Sequence, residues 1–95
     1  VKEENKVTQV HANPEDIQRF AQCLKQFNQQ LSESISKLNG QFDYLSYTWQ
    51  DQKHQKFAQE FIQTMSVLRR FLETSEQHIP FLLKEAEILH QYLGH

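Results

Sequence analysis

Glu87 and His90 stand three residues apart, the spacing that puts a carboxylate and an imidazole on one face of a helix. Glu-X-X-His pairs of this kind hold the metals of di-iron bundle proteins, where a second pair and further inward carboxylates complete the site. A symmetric dimer would supply the second pair. Glu87 and His90 nevertheless flank the apolar positions Ala86, Leu89 and Leu93 rather than joining them, and Glu33, in the middle of the first helical stretch, lies off its seam. A solvated polar face accounts for them better, so no metal is expected. His54 and His78 are read as surface histidines.

The other routes to chemistry are also closed. There is no Gly-X-Ser-X-Gly elbow, and the lone Cys23 has no positioned base. With one cysteine, no internal disulfide forms; Cys23 is either a small, inert helix residue or a bridge across a dimer. Gly40 and Gly94 are the only glycines, too few for a phosphate-cradling loop. The expectation is therefore no catalytic residue, no cofactor and no enzymatic activity. Net charge is −2 with both signs interspersed, which excludes the basic footprint of a nucleic-acid binder. A mean hydropathy of −0.73 and the lack of a long apolar run exclude membrane insertion.

Binding remains, and the elements that would do it are visible in the apolar spacing. Residues 1–12 show no periodicity and read as a flexible N-terminal arm. Asn13-Pro14-Glu15-Asp16 is a helix start, with Asn at the cap, Pro where its missing N–H costs nothing, and two acids facing the dipole. From there Ile17, Phe20, Leu24, Phe27, Leu31, Ile35, Leu38, Phe42, Leu45 and Trp49 recur at steps of three and four. Asn39-Gly40 is a turn signal inside this stripe, but the phase passes through it, so the helix is carried over residues 14 to about 46 and Gly40 is read as a point of close helix approach. Thr48-Trp49-Gln50-Asp51 then interrupts the rhythm with a turn over about 47–51. Thr48 and Asp51 fit a capping box, and Asp51 fits equally as the cap itself.

The stripe resumes at Phe57 and runs through Phe61, Met65, Leu68, Leu72, Ser75, Ile79, Leu82, Ala86, Leu89 and Leu93, broken only by the polar Ser75. This predicts a second helix over about 52–93. Pro80 removes one backbone bond, to the Glu76 carbonyl. Because the phase survives it, a kink is expected rather than a break. The fold class is thus all-α, an antiparallel two-helix hairpin. Its stripes are wider than one neighbour can cover, so a second hairpin is expected to complete a four-helix bundle, as a homodimer or with a paralogous hairpin. The residues assigned to this core and dimer stripe are Phe20, Leu24, Phe27, Leu31, Ile35, Leu38, Phe42, Phe61, Met65, Leu68, Leu72, Ile79, Leu82 and Leu89.

Leu45, Trp49, Asp51 and Phe57 carry a resemblance. A helical hairpin of this length, with a Trp-X-Gly turn preceded by Leu and followed by Phe in the second helix, is similar to the WXG superfamily of small, Esx-like proteins associated with type VII secretion. Asp51 stands where that motif has Gly. The superfamily's C-terminal signal, Tyr followed four residues later by an acid, is missing, since only Leu93, Gly94 and His95 follow Tyr92. The resemblance implies protein-protein interaction as a secretion-system substrate or as the escort of one, with a secretion apparatus or a larger secreted substrate as further partner. It also implies a partner-reading turn built from Leu45, Thr48, Trp49, Asp51 and Phe57. Val1-Lys2-Glu3-Glu4 starts no hydrophobic leader, so the expected location is cytoplasmic before export, and any export would proceed without a cleavable signal peptide. The competing reading is a non-secreted structural or adaptor coiled-coil module.

Overall fold

The computed structural model describes residues 12–94; the N-terminal arm inferred above falls, apart from Ala12, outside them. Two helices account for nearly all of it: α1 over Pro14–Leu45 and α2 over Gln52–Leu93. Each begins on a side-chain cap. Asn13 Oδ1 accepts from the backbone N–H of Glu15 at 2.8 Å and of Asp16 at 3.3 Å, and Asp51 Oδ1 accepts from that of His54 at 3.0 Å. Of the two capping arrangements open at the turn, Asp51 is therefore the one adopted. The Thr48 hydroxyl instead bonds back to the Leu45 carbonyl at 3.3 Å.

Asn39 and Gly40 lie within α1, and α2 continues through Pro80. In both places the packed stripe outweighs local propensity. A Cβ at Gly40 would meet nothing within 4 Å, so α2 makes no close approach there. Any such approach is left to a neighbour outside the hairpin.

The seam between the helices is not the bulkiest line of side chains. Its buried apolar members are Ala21 and Ile35 on α1 and Met65, Ile79 and Ala86 on α2, joined by the buried polar residues Asn28 and Ser75. Projecting back from Ile35 by sevens gives Asn28 and then Ala21, the phase of a heptad position. Phe20 and Phe27 sit one residue before these positions and therefore turn out of the seam, 59% and 50% exposed, as does Leu38 at 48%. The hairpin measures 65 × 28 × 14 Å. Its smallest dimension is close to the diameter of one helix, about 10–12 Å, so among the described residues no third layer covers either side.

Candidate interaction surface

Three features along the hairpin could serve recognition: an aromatic cluster at the turn, a polar node in the middle, and an apolar flank running between them. The turn is fixed first by its backbone. Leu45 O accepts from the N–H of Thr48 and of Trp49, both at 3.0 Å, and Phe42 O accepts from that of Ser46 at 3.0 Å. The Ser46 hydroxyl also donates to Phe42 O at 3.0 Å, so its oxygen is left to accept from His54 Nε2 at 2.9 Å. That assignment places the imidazole hydrogen on Nε2. His54 is thus no surface histidine; it joins the start of α2 to the end of α1.

Around this bond the rings interlock. Phe42 stacks on His54 at a centroid distance of 5.5 Å and on Phe61 at 4.5 Å. Trp49 meets His54 edge-on at 5.1 Å and leans on Phe57 at 6.0 Å. Trp49 is half-buried, which fits a ring that closes the end of the hairpin. Beside the cluster, Leu38, Gln41, Phe42, Tyr44, Leu45, Thr48, Phe57 and Phe61 line an open apolar notch of about 380 Å³. Leu45, Thr48 and Phe57 thus form its wall, with Trp49 packed behind.

The polar node lies near the middle. Asn28, 2% exposed, donates from Nδ2 to Ser75 Oγ at 2.8 Å and to Glu76 Oε2 at 2.9 Å. Its Oδ1 is buried without a partner, an arrangement that costs stability relative to an apolar seam. The interruption at Ser75 is explained by this node. Its counterpart Asn28 was hidden in the sequence by its bulky neighbour Phe27, although the seven-residue spacing to Ile35 marks it.

The flank is what the seam leaves over. Phe27 and Phe71 touch across the hairpin with ring centroids 6.2 Å apart, yet both remain about half exposed. Toward the chain ends Phe20 shares an open notch with Ile17 and Leu82; toward the turn Leu38, Leu45 and Phe57 share the apolar notch described above. The other side of the hairpin is mixed: Asn28, Gln29, Ser32, Glu33, Leu72 and Glu76 line one groove there, and Glu15, Gln18, Gln22 and His90 share another with Pro80 and Leu83.

Among the stripe residues, Ile35, Met65 and Ile79 are buried. Leu24, Leu31, Phe42, Phe61, Leu68, Leu72, Leu82 and Leu89 are half-buried, and Phe20, Phe27 and Leu38 face out. Glu87 pairs with Lys84 at 3.5 Å, while His90 Nδ1 lies 3.6 Å from Glu15 Oε2. Both are exposed, and among the described residues no three His, Cys, Asp or Glu side chains are placed to hold a metal ion.

A turn of this kind, with tryptophan closing two long helices, is the signature of a family. The family model WXG100, described as proteins of 100 residues with WXG, matches residues 9–87. The chain belongs to the WXG100 family. In this WXG100 chain the matched region takes in both capped helix starts and the entire turn, Trp49 included. The family is one of small, non-enzymatic helical proteins of the type VII secretion kind. No curated protein and no solved structure matches the chain. No described helix is long and apolar enough to cross a membrane.

Proposed function

We propose that this WXG100 hairpin works by protein association. Its apolar flank is covered by a second hairpin, another copy or a paralogue, to give a four-helix bundle that travels as a type VII secretion substrate or as the escort of one. The observation that carries this reading is the wet flank: Phe20, Phe27, Leu38, Leu45, Phe57 and Phe71 are each at least two-fifths exposed. Dispersed monomers commonly keep exposed apolar patches to a few hundred Å² or less, and larger ones mark interaction sites. The turn motif, Leu45, Thr48, Trp49, Asp51 and Phe57, has a separate part in this scheme. It holds the end of the bundle and shapes the apolar notch that a further partner reads.

Two measurements in the native cell test the proposal together. With the secretion ATPase intact, the protein is recovered from the medium; with the ATPase removed, it stays inside. The double substitution Phe20→Asp and Phe27→Asp abolishes pairing while leaving the circular dichroism of the helices in place. Medium levels unaffected by loss of the ATPase contradict the secretion role. Pairing that survives the double substitution contradicts the flank as the interface.

A further inference from the structure

We propose that the stretch Glu76 to Pro80 is a hinge on which the end of the hairpin remote from the turn opens as a unit while the turn stays closed. Three independent features coincide there. Pro80 has no N–H to give the Glu76 carbonyl the bond that residue i+4 supplies elsewhere in α2. One turn earlier, Asn28, Ser75 and Glu76 put a polar node into the seam, and Asn28 Oδ1 is buried unpartnered. Past the hinge the buried seam residues include the alanines Ala21 and Ala86, whose methyl groups remove little surface from water.

Beside that remote segment runs a groove of about 680 Å³, lined on its two walls by Glu15, Gln18 and Gln22 and by Pro80, Leu83 and His90 among others. The contact across it between His90 Nδ1 and Glu15 Oε2 is long and exposed at 3.6 Å, so it adds little closure. Segments with few buried apolar contacts open locally at lower free energy than the rest of a fold. Here such a segment begins at a helix bond that does not exist. Opening it uncovers Ala21, Ile79 and Ala86 to another helix without melting the turn, so the hairpin can be entered from its remote end.

Native-state hydrogen exchange on the full chain tests this. The amides of residues 81–89 are expected to share one opening free energy and one denaturant dependence, with protection at least about tenfold below that of residues 57–68. Pro80→Ala restores the helix bond and is expected to raise protection in 81–89 by about tenfold, the scale of one backbone hydrogen bond, with residues 57–68 changed less than about twofold. Asn28→Leu with Ser75→Ala, which replaces the node by apolar packing, raises protection in the same segment. Uniform protection along α2, or a smooth decline toward Leu93 with no shared value, overturns the hinge. So does a Pro80→Ala effect of equal size at both ends.

Discussion

The turn end and the remote end of the hairpin are built from the same two helices, yet they are held by different means. At the turn, Phe42, His54, Phe57 and Phe61 interdigitate with Trp49, and the Ser46–His54 bond ties one helix to the other. At the remote end the buried residues include two alanines, beside an open groove. Side-chain size, together with the helix bond missing at Pro80, makes the difference. A hairpin that must stay folded back needs a firm closure at one end only. The other end is free to be set by whatever it binds.

Substitutions at the two ends should therefore differ in cost. Phe42→Ala removes the ring that touches three others, and is expected to destabilise the protein by about 3 kcal/mol in urea unfolding. Trp49→Ala, at a half-buried position, should cost about 2 kcal/mol, below the roughly 3–5 kcal/mol of a fully buried aromatic. Ala21→Ser at the remote end should cost about 1 kcal/mol or less by the same assay. Equal losses at Phe42 and Ala21 would erase the contrast between the ends.

Midway, Asn28→Leu with Ser75→Ala exchanges a buried, incompletely satisfied polar node for apolar contact. It is expected to stabilise the fold by about 1 kcal/mol, visible as a higher urea midpoint. Destabilisation would mean that the node holds the seam rather than weakening it. The smallest effect concerns Gly40, where space is open on all sides. Gly40→Ala should stabilise the hairpin by about 0.5–1 kcal/mol through helix propensity. A loss at that site in the paired form, with a gain in the monomer, would locate a neighbouring helix against it.

Much of this architecture could be read from residue spacing. Asn13-Pro14 and Asp51 carry capping chemistry that needs no tertiary knowledge, and the apolar stripes on both sides of Trp49 imply two helices folded together. The facing of the stripe was harder to read. Bulk favours Phe20 and Phe27 as seam residues, but the helices approach along Ala21 and Asn28, because small side chains allow two rods to come together while the phenylalanines lie along the groove's edge. Asn28 was further obscured because its hydrogen-bond partner, Ser75, is forty-seven positions away, and only the seven-residue spacing to Ile35 marks it within its own helix. His54 was misplaced for a similar reason: its role depends on Ser46 and Phe42 from the other helix, which sequence periodicity within α2 alone does not bring to it.

The native mass of the protein purified from its own cells tests the account where it is most exposed. Sedimentation equilibrium at micromolar concentration should give a particle near twice the mass of a single chain, either two copies or one copy with a second hairpin of similar size. A species of single-chain mass that remains dispersed, with its phenylalanine flank in water, would contradict it.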